Sequence, residues 1–159
     1  MTKKLVRIAL IAAMYAGLAL LLKPISFGVV QFRLSESLVI MPLFMFEGVW
    51  GVTIGCMLAN IASPFGIIDI VLGSAITLVS GLLTRVLRKK PLIAMFPPVI
   101  LNALFLPLIW YIWAGDIGYW TNFCSIFISQ FFTIYVLGLP LFYALKRTKI
   151  FNDTLLPKK

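Results

Sequence analysis

The chain has 159 residues, of which 62% are hydrophobic and 12% charged, where soluble domains carry roughly 45–50% and about 25%. Its mean hydropathy is +1.06, and a soluble fold of this size cannot cover such an apolar surplus with polar surface. Five acids and no histidine leave little for acid–base or metal chemistry, so the composition excludes a soluble enzyme or a disordered chain and reads as an all-α integral membrane protein.

The first apolar run follows Lys3, Lys4 and Arg7 and closes at Lys23-Pro24. Its basic flank resembles a signal peptide, but no clear small-residue cleavage site follows, so it reads as a retained first span. The next stretch, 37–84, is interrupted only by Glu47 and Asp69, and its length suits two long spans or three shorter ones. The positive-inside rule decides for three. With three, Lys3, Lys4 and Arg7, the Arg85, Arg88, Lys89 and Lys90 loop, Lys146, Arg147 and Lys149, and Lys158 and Lys159 all fall on the cytoplasmic side.

Six transmembrane helices are therefore predicted, over about 4–22, 36–46, 48–62, 66–88, 91–113 and 119–147, in one membrane domain over 1–159 with both termini cytoplasmic. Helices 2 and 3 are short: a dozen residues give roughly 18 Å, against about 30 Å of hydrocarbon. Pro24, Pro64 and the Gly115–Gly118 region mark the external turns. Trp110, Tyr111, Trp113, Tyr119 and Trp120 around the last turn read as an interfacial belt. The formal charge of +9 sits in clumps between apolar runs rather than on one polar face, so the lipid bilayer is the expected partner and nucleic acid is not. Cys56 and Cys124 lie inside apolar runs and suggest neither a disulfide nor a metal site.

Helix 1 carries Ala9, Ala13 and Gly17 at four-residue spacing, with Ala12, Ala16 and Ala19 beside them. In lipid such a stripe admits close approach of another helix, either within the bundle or from a partner subunit. The first external loop places Gln31, Phe32, Arg33, Ser35 and Glu36 at the mouth of the bundle. Ser35 is placed to cap helix 2, and Glu36 suits the first-turn dipole, while Gln31 and Arg33 suit contact with a ligand. Asn60 and Ser63 flank the second external turn, and Asp69 falls about one turn into helix 4. An intramembrane carboxylate marks a functional site by default; the alternative is an ion pair with Arg33 or a hydrogen bond closing the turn. Asn102, Asn122 and Gln130 are lone amides of helices 5 and 6, readable as interhelical glue or ligand contacts, with Asn122 near the outer end. Glu47 at the helix 2–3 turn reads as structural. No P-loop or metal-binding motif of a membrane transferase occurs, so no cofactor and no enzyme activity are expected.

Val30-Gln31-Phe32-Arg33-Leu34-Ser35-Glu36, Gly55 to Asn60, Pro64 to Gly73, Pro97 to Ala103 and Tyr135-Val-Leu-Gly-Leu-Pro140-Leu resemble, in order along nearly the whole chain, the QueT family. These are substrate-binding S components of energy-coupling factor (ECF) transporters assigned to queuosine precursors. The resemblance implies a six-helix ECF S-component-like bundle in the bacterial cell membrane, open outward to its ligand. The implied partners are a transmembrane coupling subunit and two cytoplasmic ATPase subunits, which alone use ATP. It also favours Ala9, Ala13 and Gly17 as the face docking the coupling subunit. Gln130 departs from the family pattern, where a glutamate is common, which bears on the preference for a cationic precursor.

A 7-deazaguanine presents N–H and NH2 donors beside a carbonyl. Glu36 or Asp69 suits the donors, Arg33 or an amide the carbonyl, and Phe32 and Trp120 the flat ring. The expected function is thus binding of a 7-deazaguanine queuosine precursor outside and its delivery inward. The alternatives are an S component for another vitamin-like molecule and a membrane assembly subunit without a ligand.

Overall fold

The computed structural model describes residues 2–23 and 32–148. Among the described residues six helices follow one another: α1 Thr2–Leu21, α2 Leu34–Phe44, α3 Glu47–Asn60, α4 Asp69–Val86, α5 Pro91–Ala114 and α6 Tyr119–Arg147. The charge-free runs anticipate these ranges to within a few residues, because charge is excluded from lipid and gathers near the helix ends. Gly115, in the left-handed region at φ 69°, ends α5. Among the described residues, α1, α4, α5 and α6 are long and apolar enough to cross a membrane. α2 and α3 fall short: α2 is a seven-residue 3-10 segment followed by a four-residue α segment, about 20 Å in all.

Neighbour follows neighbour around the bundle. α1 packs on α3, α3 on α4, α4 on α5 and α5 on α6, while α2 lies inside against α1, α3 and the middle of α6. Ser35 to Phe44 are buried without exception, and Leu38, Val39, Ile40, Leu43 and Phe44 form the centre of the main apolar core with Val52, Met95, Ile134 and Phe142. One end of the bundle gathers basic residues: Arg7 pairs with Glu47 at 3.9 Å, and Arg85 donates to the carbonyls of Pro42 and Leu43 at 3.1 and 3.2 Å. Those two bonds satisfy carbonyls at the C-terminal end of α2, which otherwise stop inside the protein with no partner in the next turn.

α1 and α3 touch nearly backbone to backbone. A Cβ on Gly51 would stand 2.7 Å from the Cβ of Ile11, and one on Gly55 would stand 2.6 Å from the Cβ of Tyr15 and 3.0 Å from the Ala12 carbonyl oxygen. Dispersion between close helices drives association in lipid, so the missing side chains of α3 are what let α1 seat. The two small-residue rows of α1 separate accordingly. Ala12, Ala16 and Ala19 are buried against the bundle, while Ala9, Ala13 and Gly17 face outward.

Gly55→Leu should therefore cost about 1–3 kcal/mol by overpacking. Gly17→Leu, where an added Cβ meets nothing within 4 Å, should cost none. Thermal unfolding of the two variants in detergent checks this, and equal losses would contradict the packing described.

Candidate functional site

The 3-10 start of α2 brings Glu36 into the bundle. Arg33 precedes it in extended conformation, and the Glu36 amide donates to the Arg33 carbonyl at 3.0 Å. The helix thus begins at Leu34 with Arg33 in the N-cap position, so Ser35 falls inside the first turn and the expected Ser35 cap does not form. The Ser35 hydroxyl is instead buried, with no hydrogen-bond partner among the described residues.

Glu36 is 2% exposed. Tyr15, from the buried face of α1, donates its hydroxyl to Glu36 Oε1 at 2.6 Å. Glu36 Oε2 has no hydrogen-bond partner among the described residues. Gln130, itself buried on α6, lies within interaction distance of the Glu36 carboxylate.

Asp69 is the second buried carboxylate near Arg33. Trp110 Nε1 donates to its Oδ1 at 2.7 Å, Ser63 Oγ donates to its Oδ2 at 2.5 Å, and Arg33 Nη2 stands 3.9 Å from Oδ2. The ion pair and the turn-closing hydrogen bond, alternatives from sequence, coexist on the same oxygen, Oδ2, because a carboxylate oxygen has more than one lone pair. Asn60 completes the group, accepting from Arg33 Nη1 at 3.4 Å and donating to the Asp69 carbonyl at 2.7 Å. Gly66, at φ 58°, turns the chain so that Phe65 stacks on Trp110, with ring centroids 4.5 Å apart. Arg33 thus shares the interior with two buried carboxylates, an arrangement that bare packing in lipid does not require.

Two π-helical segments border this region: Asp69 opens one in α4, and the other, Phe132–Gly138, follows Gln130 in α6 and packs on the 3-10 segment of α2. Such insertions re-aim side chains and recur at functional sites.

Of the sequence candidates, Arg33, Glu36, Asn60, Asp69 and Gln130 come together. Phe32 is half-buried and lies against Phe132 at 5.8 Å. Asn102 is buried on the face of α5 that carries Leu106 and Trp110 at four-residue steps. Asn122 donates to Asp116 Oδ2 at 2.8 Å and closes the α5–α6 turn. Trp120 is 74% exposed and lies outside the buried cluster, on a surface recess with Leu108, Tyr111 and Tyr119. Gln31 lies outside the described residues. Trp110, read from sequence as part of the interfacial belt, is only 2% exposed: the Asp69 carboxylate draws its N–H inward, and the belt keeps Tyr111, Trp113 and Trp120. Tyr15 was hidden among alanines, and only its place one step from Ala12, Ala16 and Ala19 on the inner face of α1 signals its role.

The model of the QueT transporter family matches residues 5–147. Over 80 residues the chain is 41% identical to the queuosine precursor transporter QueT of Lactococcus lactis subsp. cremoris. That alignment covers 49% of this chain and 47% of the relative, about half the length of each. No solved structure matches. The family match runs from the first turns of α1 to the end of α6, and the chain, a multi-pass membrane protein, belongs to the QueT transporter family.

Proposed function

We propose that the chain is the substrate-specific subunit of an ECF-type importer in a bacterial cell membrane, binding a 7-deazaguanine queuosine precursor from outside. The observation that carries this reading is the buried Glu36 carboxylate, held through one oxygen by Tyr15 while the other has no partner among the described residues. A lone buried acceptor of this kind is costly in lipid unless a ligand uses it. The N–H and NH2 edge of a deazaguanine supplies the missing donors as charge-assisted hydrogen bonds. In this reading the basic end of the bundle, with Arg7 and Arg85, is cytoplasmic by the positive-inside rule, and the Arg33 end opens outward. All six helices then belong to the membrane layer, with α2 enclosed by the others. The ATP is spent by two cytoplasmic ATPase subunits, joined through a coupling subunit that docks on Ala9, Ala13 and Gly17. The outward exposure of that row supports this assignment.

Glu36→Gln keeps the shape of the side chain but turns an acceptor toward a donor facing donors. Calorimetry on the purified variant should show affinity for the precursor falling by about 30- to 1000-fold, or about 2–4 kcal/mol. Affinity within threefold of the wild type, in a protein still folded, would remove Glu36 from the site.

Ala13→Leu should abolish uptake in cells while leaving the precursor affinity of the isolated subunit within about threefold, because the residue faces away from the bundle. Parallel loss of affinity and transport would contradict the docking assignment.

A further inference from the structure

The polar groups around Arg33 divide into a closed half and an open half. In the closed half, both Asp69 oxygens accept hydrogen bonds, and Asn60 both donates and accepts. Nothing there asks for a ligand. The open half lies where the 3-10 segment of α2 meets α6. Ser35 Oγ, Glu36 Oε2, Gln130 Oε1 and Thr133 Oγ1 are all buried there, and none has a hydrogen-bond partner among the described residues. Their residues are 0%, 2%, 3% and 0% exposed. Gln130 and Thr133 are three residues apart and share a helix face. Buried polar groups are nearly always paired, so a set of four orphans on two facing elements calls for a common partner.

The chemistry of the four atoms restricts that partner. An ionised carboxylate oxygen and an amide oxygen only accept, whereas the two hydroxyls donate or accept. The complementary edge therefore carries two donors, with at most two acceptors beside them for the hydroxyls. A ring N–H next to an exocyclic NH2 and a ring carbonyl has this pattern. An adenine-type edge, with one amino group and acceptor nitrogens, does not.

We infer that Gln130 is a specificity-determining residue whose Oε1 accepts from the exocyclic amino group of a 2-amino-4-oxo ring, with Glu36 Oε2 beside it, while Asp69, Asn60 and Trp110 hold the site together without reading the ligand. This rests on the substrate reading given above and narrows it to ligands carrying the 2-amino group. It also gives Thr133 a role that neither its position nor its neighbours signalled in the sequence: its hydroxyl meets the ring carbonyl or the carboxylate-bound edge only when a ligand is present.

The test compares 7-deazaguanine with 7-deazahypoxanthine, which lacks the 2-amino group, by calorimetry on the full chain. In the wild type, removal of the amino group should weaken binding by about 10- to 100-fold, the worth of a hydrogen bond whose loss strands a buried partner. In Gln130→Leu the two rings should bind within about threefold of each other, since the acceptor that tells them apart is gone. Thr133→Val provides a second readout. Removing an orphan hydroxyl at constant shape should leave the melting temperature of the ligand-free protein unchanged or higher and still lower the affinity for 7-deazaguanine. A structural residue would show the opposite sign of stability change. If the amino group is worth as much in Gln130→Leu as in the wild type, or if Thr133→Val melts lower and binds normally, the inference is overturned and the substrate reading stands. If neither ring binds the wild type, the substrate reading itself fails and takes the inference with it.

Discussion

A helix about 20 Å long inside a bundle built for a bilayer cannot bring both its ends to water. α2 is that helix, and both of its termini need polar partners within the protein. At the C-terminal end Arg85 reaches back from α4 to the carbonyls of Pro42 and Leu43. At the N-terminal end the chain tightens into 3-10 geometry, which uses the Arg33 carbonyl for the Glu36 amide and leaves the Glu36 side chain pointing into protein rather than solvent. The buried polar region is thus a consequence of where α2 begins. The glycine seam of α3, which brings α1 close, supplies the Tyr15 hydroxyl that makes the carboxylate tolerable there.

α1 serves two surfaces at once. Its inner row packs on α3 and presents Tyr15 to Glu36; its outer row of small residues is left uncovered. The hydroxyl that holds the site carboxylate and a face open to another helix therefore belong to one element. In the reading proposed here, the substrate and the coupling subunit act on opposite sides of the same helix. The π-helical segments of α4 and α6 complete the arrangement by delivering Asp69 and Thr133 to the interior from helices that otherwise follow a regular apolar period.

The positions of the six helices were legible because charge is excluded from lipid, so Lys23, Arg85 and Lys146 punctuate the chain more sharply than any propensity does. The grouping of Arg33, Glu36, Asn60 and Asp69 was legible for the same reason: polar residues in so apolar a chain stand out singly. What sequence hid were residues whose type fits two environments. A tryptophan near a helix end suits the membrane interface and suits a buried carboxylate equally, so Trp110 looked like its neighbours Tyr111 and Trp113. Tyr15 stood in a row of alanines whose two faces differ only by a rotation that one must see packed. Ser35 looked like a cap because the helix was expected to start at Glu36, whereas the 3-10 turn begins it at Leu34 and puts Ser35 inside the first turn.

The most direct measurement of the central claim, that the ligand occupies the open half of the polar region between α2 and α6, is photo-crosslinking. A 7-deazaguanine carrying a photoreactive group would be bound to the purified full chain and the labelled peptides mapped. Label concentrated on residues 33–37 and 129–133, and suppressed by excess unmodified 7-deazaguanine, is the expected result. Competable label confined to the surface recess around Tyr119 and Trp120, or to the outer face of α4 and α5, would contradict it.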